Sequence, residues 1–113
     1  MHNFEYRVYE EVLNDMINGT KKVEIRLYNE KSSKIKINDI IKFKNINDES
    51  KYILVKVTSL TIYNDIDDLM NRYCNNMNAG KYNKETFTKG MHDIFGKDEV
   101  DNHKIIGIEF VLL

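Results

Sequence analysis

Four charged side chains crowd the segment GTKKVEIR, residues 19–26, and three of them, Lys21, Glu24 and Arg26, have a spacing that could do chemistry. Glu24 and Arg26 stand two residues apart. On a β-strand they project from one face, about 7 Å apart along it. Lys21, three residues before Glu24, can lean onto its carboxylate. Such a row offers cations to a phosphate and a carboxylate to a base amino group. The Arg26 guanidinium can also stack on a nucleobase. The same residues support acid–base chemistry, with Glu24 as the base and Lys21 stabilising developing negative charge. A plain cross-strand salt ladder uses them too, and contributes roughly a few tenths of a kcal/mol per pair.

Other chemistry finds little support. His2, His92 and His103 share no metal-ligand spacing, and no cysteine pairs with them, so no metal site is predicted. There is neither a phosphate-binding loop nor a dinucleotide fingerprint, so no cofactor is predicted. Cys74 is the only cysteine, which rules out a disulfide framework and fits a reducing cytoplasm. Its reading is a structural thiol. Tyr6, Tyr28, Tyr52 and Tyr63 can serve as stacking platforms or as rim residues of a sheet.

The elements that must position this row follow from periodicity. HNFEYRV, residues 2–8, starts a strand. YEEVLNDMING reads as a helix with Tyr9, Val12, Leu13, Met16 and Ile17 on one face, and Gly19 ends it in the left-handed conformation. KKVEIRLY then alternates: Val23, Ile25 and Leu27 face one way, and Lys22, Glu24, Arg26 and Tyr28 form a charged outer row. A turn at Asn38-Asp39 leads into a strand with Ile41 and Phe43 inside and Lys42 and Lys44 outside. NDES, residues 47–50, is a second turn before the long β-branched strand KYILVKVTSLTIY. NDIDDLMNRYC is a short helix that Asn64 or Asp65 can cap, with Ile66, Leu69, Met70 and Tyr73 on one face. Residues 75–83 look mobile. KETFTKGMHDIFG is an amphipathic helix with Phe87, Met91, Ile94 and Phe95 inward, weakened by Gly90. HKIIGIEFVLL closes the chain as a strand apolar enough to be buried on both faces. The order is strand, helix, three strands, two helices, strand. It predicts an α+β fold with a mostly antiparallel, barrel-like sheet.

At 113 residues the chain fits a single domain spanning 1–113. No apolar run is long enough for a membrane span, and the acidic start is no signal peptide, which points to the cytoplasm. Charge is unevenly spread. Residues 21–60 carry ten basic and five acidic side chains, about +5, whereas residues 1–20 (one basic, four acidic) and 61–113 (six basic, nine acidic) are each about −3. A basic middle on a nearly neutral chain is the footprint of nucleic-acid binding, or simply a solvated lysine-rich sheet face. Lys42, Lys44 and Lys56 are the candidates on that face.

The pattern G-x-K-x-x-E-x-R at residues 19–26, with KINDIIKF downstream and IIGIEF near the end, resembles the ASCH domain family over almost the whole chain. The resemblance implies a PUA-like curved β-barrel with about three helices at its rims, and a cleft floored by Lys21, Glu24 and Arg26. Where relatives commonly have Gly-Asp, this chain has Asn38-Asp39, and Asn tolerates positive φ. Where many carry an aromatic-serine pair, it has Phe95-Gly96. The implied function is binding of RNA or a nucleotide-like ligand by Lys21, Glu24, Arg26, Tyr28, Lys42 and Lys44. The alternative is a hydrolase acting on a modified nucleoside or on RNA, with Lys21 and Glu24 as the catalytic pair. The branch that hydrolyses acylated cytidines uses a lysine, a threonine nucleophile and a later acid. Lys21 matches, but Glu24 stands in place of the threonine, and residues 69–84 contain no Asp or Glu.

Overall fold

The computed structural model describes residues 2–76 and 84–113, without the side chains of residues 73–76 and 84. The expectations for Tyr73, Cys74 and the segment 75–83 therefore fall, wholly or for their side chains, outside the described residues. Nine elements follow one another: β1 (Phe4–Val8), α1 (Glu10–Ile17), β2 (Val23–Tyr28), β3 (Ile40–Asn45), β4 (Asp48–Tyr63), α2 (Ile66–Asn76), α3 (Lys84–Phe95), α4 (Lys97–Asn102) and β5 (Lys104–Leu112). The class is α+β, as the periodicity predicted. The helix beyond the three expected is α4, which restarts after Gly96 takes a φ of 89°.

The five strands form one mixed sheet in the order β1-β3-β4-β5-β2. β1 runs parallel to β3, with Glu5 opposite Lys42 and Arg7 opposite Lys44. β3 and β4 are antiparallel, with Lys42 opposite Leu54 and Lys44 opposite Tyr52. The turn between them is at Ile46-Asn47, not over residues 47–50; Asn45 pairs directly with Asp48, and Glu49, Ser50 and Lys51 form an irregularity in β4 before the register resumes at Tyr52. Asn45 is buried, and its Oδ1 accepts the Asn47 N–H at 2.8 Å, which closes the tight turn. The other predicted turn is where it was expected. Asn38 has a φ of 79°, and its N–H donates to Val57 O at 2.8 Å.

The chain divides into two compact units. The first comprises Met1–Glu24, Ile35–Leu60 and Ile108–Leu113, and the second Ile25–Lys34 and Thr61–Gly107. The core of the first unit is Phe43, with Ile41, Val55, Val57 and Met16 around it, all buried. The Phe43 ring stands 6.2 Å from Tyr6 and 5.7 Å from Phe110. Helix α1 packs on β3 through Leu13 and Met16 alone among its predicted apolar face. Tyr9 precedes the helix and is 51% exposed, and Ile17 is 52% exposed, since an eight-residue helix presents only two full turns to the sheet.

In the second unit α2 packs on α3 and α3 on α4. Leu69, Met70, Met91 and Val100 are buried; Ile94, predicted inward, is exposed. Asp65 caps α2, its Oδ1 accepting the Asp68 N–H at 2.8 Å, while Asp68 Oδ2 accepts the Asn64 N–H at 2.9 Å. This reciprocal arrangement satisfies donors that a helix start leaves open. Residues Ile105–Ile108 of β5 are buried in succession, as a strand covered on both faces requires. Among the described residues no helix is long and apolar enough to cross a membrane.

Gly90 lies inside α3, and a Cβ built there meets nothing within 4 Å. Gly90→Ala therefore restores helix propensity without a clash. It is expected to stabilise the protein by about 1 kcal/mol, a shift of several degrees in a thermal melt.

Candidate functional site

The exit of α1 sets the position of the charged row. Gly19 takes a φ of 84°, beyond the reach of most side chains without strain. The reversal is tied down at both ends: Gly19 N–H donates to Met16 O at 3.3 Å, and Lys21 N–H to Asp15 O at 2.9 Å. Phe110 N–H then donates to Lys22 O at 3.3 Å, docking the start of β2 beside β5. The glycine at position 19 thus turns the chain so that Lys21 stands just ahead of the strand and Glu24 in its first turn of pleat.

Lys21 Nζ lies 3.3 Å from Glu24 Oε1. The Glu24 side chain is only 7% exposed, the Lys21 side chain 25%. The charged outer row expected on β2 is thus not a solvated face: Glu24 is buried, and the residues flanking it, Val23 and Ile25, are buried too. Further along the strand, in the second unit, Arg26 and Tyr28 are each half-buried. Just beyond them Ser32, fully buried, donates to Leu27 O at 2.8 Å and accepts the Asn29 N–H at 2.9 Å. That loop fixes where β2 ends.

Lys42, Lys44 and Lys56 occupy the other face of β3 and β4 from Ile41, Phe43, Val55 and Val57. In the sheet order their strands are separated from β2 by β5. The lysines are not equivalent. Lys44 Nζ sits between Glu5 Oε2 at 2.8 Å and Glu49 Oε1 at 2.7 Å, and only 14% of its side chain is exposed. Glu49 also lies 3.7 Å from Arg7, and Glu5 2.7 Å from His2. The irregularity in β4 brings Glu49 back onto Lys44. Lys42 instead holds its ammonium 4.1 Å over the Tyr52 ring. Lys56 is exposed.

These contacts move protons. The Lys44 ammonium, and after it His2, hold the Glu5 carboxyl down from 4.5 to about 2. Lys44 likewise lowers Glu49, and the two carboxylates raise Lys44. The partners of Lys44 were not foreseen. Glu5 lies 39 residues away in sequence, and its approach depends on a parallel β1–β3 pairing that no local pattern announces. The one available signal was the alternation of FEYRV, which puts Glu5 and Arg7 on a common polar face. Among the described residues no group of three or more His, Cys, Asp or Glu is placed to hold a metal ion.

The architecture matches known structures end to end. The crystal structure of hypothetical protein PH0355 superposes with a TM-score of 0.80 at 25% identity, over 97% of this chain and 98% of that one. The solution structure of PF0455 from Pyrococcus furiosus gives 0.73 at 24% identity, over 100% and 98%. The ASCH domain of Lactobacillus crispatus gives 0.65 at 12% identity, over 97% of this chain and 79% of that one. The chain has an ASCH fold. The fold inferred from GTKKVEIR, KINDIIKF and IIGIEF is the fold observed, and ASCH domains are PUA-like. No protein-family model matches the chain, and no curated protein matches it.

Two tests follow from the charges of this ASCH fold. Lys21→Met removes the cation 3.3 Å from a buried carboxylate and is expected to cost on the order of 2 kcal/mol in a denaturant melt. Adding Glu24→Gln should recover at least half of that loss, giving a clear coupling in a double-mutant cycle.

The second test is acid stability. Glu5 is depressed in the folded state, so its contribution is present above the unfolded value of 4.5 and is lost as pH falls through about 2. Thermal melts between pH 6 and pH 2 should show this loss. In Lys44→Met the stability at pH 6 should drop and the fall between pH 4.5 and 2 should flatten. An unchanged acid limb would refute the assignment.

Proposed function

We propose that this chain binds RNA, or a nucleotide-like fragment of it, where α1 leads into β2, with Lys21 just ahead of the strand and Glu24 and Arg26 on it. The observation that carries this conclusion is the Lys21–Glu24 pair, 3.3 Å apart, with its carboxylate buried and its ammonium reaching the surface. A carboxylate seated on a buried strand cannot drift with solvent. It is a fixed acceptor for the exocyclic amine of a nucleobase, the group that a carboxylate reads on cytosine. Lys21 contributes a mobile cation for phosphate or for a base carbonyl. Arg26, two residues along the strand, supplies a planar guanidinium suited to stacking or to a phosphate fork.

The basic central segment supports the same conclusion, since about +5 of charge is concentrated in residues 21–60. So does the ASCH fold, whose resemblance first suggested RNA or a nucleoside as ligand. Binding is favoured over amidohydrolysis because position 24 holds a carboxylate where that chemistry requires a threonine hydroxyl. Here a Lys–Glu pair is better suited to recognising a base than to attacking an acyl group.

The test is a titration of the isotope-labelled protein with cytidine, adenosine and uridine monophosphates, followed by amide chemical shifts. Shifts are expected to concentrate at residues 20–26, and amino-bearing bases should bind better than uridine. Glu24→Gln should reduce that preference about tenfold, the scale of one good base contact. Absence of shifts in this segment with all three nucleotides would overturn the proposed site.

A further inference from the structure

The outer face of β3 and β4 is neutralised at one end and left charged at the other. Towards the β3–β4 turn every cation has an acid: Lys44 lies between Glu5 and Glu49, Arg7 is 3.7 Å from Glu49, and Lys51 is 3.4 Å from Glu10. Away from the turn the pattern stops. Lys56 is opposite Ile40, and Lys42 is opposite Leu54 on β4 and Glu5 on β1, but the Glu5 carboxylate is turned to Lys44 and His2, and neither Lys42 nor Lys56 forms an ion pair among the described residues. The register places Lys42 diagonally between Lys56 and Tyr52. Tyr52 is 50% exposed, and the Lys42 ammonium lies 4.1 Å over its ring.

We infer that Lys56, Lys42 and Tyr52 form a docking track for single-stranded RNA, distinct from the Lys21–Glu24 pair. The inference rests on the RNA-binding function proposed above and adds the surface along which the strand runs. Lys56 and Tyr52 are four residues apart on one strand, about 13 Å. That is on the order of four stacked nucleotides at about 3.4 Å each. Two cations that form no ion pair meet the phosphates, and a half-exposed aromatic ring offers a base a π-face whatever its identity. The ammonium over one face of that ring places a cation next to a base stacked at Tyr52, within reach of its phosphate.

An acidic protein segment would also be attracted to Lys42 and Lys56, but it has no use for the ring beside them. A duplex would engage the cations and leave the ring unstacked. Single-stranded nucleic acid uses all three groups. Lys44 is excluded from the track because its charge is already matched by two carboxylates at hydrogen-bond distance.

The experiment measures fluorescence anisotropy of a labelled twelve-residue oligouridine across a range of salt, with an RNA duplex and polyglutamate as competitors. For the intact chain, affinity is expected to fall with salt. The double variant Lys42→Gln/Lys56→Gln should lower the slope of log affinity against log salt by about 1.4, two phosphates at about 0.7 each. Tyr52→Ala should weaken binding on the order of tenfold with the slope retained. Nucleotide-induced shifts at residues 20–26 should persist in all these variants, and a thermal melt confirms that each is folded. Oligouridine binding with a slope unchanged in the double variant overturns the track and leaves the Lys21–Glu24 function standing. Displacement by duplex or polyglutamate as effective as by oligouridine, with Tyr52→Ala neutral, also overturns it. No binding of oligouridine together with no nucleotide shifts overturns both.

Discussion

A buried carboxylate needs a cation. Glu24 lies on a strand whose neighbours on either side, Val23 and Ile25, are buried, so its charge has left most of its water behind. Desolvating an unpaired carboxylate costs several kcal/mol, more than most single core contacts contribute. Lys21 meets that demand from only three residues away, but it does so only because α1 ends where it does. The left-handed Gly19, the Lys21 N–H to Asp15 bond and the docking of Lys22 beside Phe110 all fix the backbone from which the Lys21 ammonium reaches the carboxylate. Local backbone geometry, helix termination and sheet pairing therefore converge on the Lys21–Glu24 contact. A less demanding residue at position 24 would free all three.

The outer face of β3 and β4 solves a different problem. Four cations there, Arg7, Lys42, Lys44 and Lys51, would repel one another without compensation, and Lys56 adds a fifth. Acids from β1, from the start of α1 and from the irregular stretch of β4 offset the group nearest the turn. The Arg7–Glu49 and Lys51–Glu10 pairs are largely exposed, so solvent screens them and each is weak as a brace, whereas Lys44 is mostly covered. Their more durable effect is on the field. They cancel the charge at one end of the face and leave the other end positive. A uniform lysine face would attract any polyanion without direction, whereas a face cancelled at one end has a polarity along the strands.

Much of this was legible in the sequence, and the boundary of legibility is physical. Period-two alternation placed Ile41 and Phe43 inside and Lys42 and Lys44 outside, and the structure agrees. Turn chemistry located the positive φ at Asn38 and the cap at Asp65. These are properties of a few consecutive residues. What alternation could not decide was which neighbour covers a strand's second face. On β2 it separated Val23, Ile25 and Leu27 from Glu24 and Arg26 correctly, yet Glu24 is buried all the same. The partners of Lys44 come from a parallel pairing across most of the first unit, and the β4 irregularity shifts Glu49 by several residues relative to β3. The exposure of Ile17 and Ile94 follows from helix length and neighbours, not from helical spacing.

The same distinction explains why fold and function part company in the comparisons. Structures as little as 12% identical share this architecture over nearly the whole chain. What such distant chains must keep is the apolar pattern and the turns, since many sequences satisfy a core of the right volume. A binding site is a matter of a few named atoms. Here the segment that joins α1 to β2 is fixed by the fold, because the glycine that ends the helix also brings Lys21 to Glu24. A site built on a turn the fold cannot do without would retain its geometry while its side chains changed. That would let one architecture carry different chemistry by exchanging the residues at a few positions of such a turn.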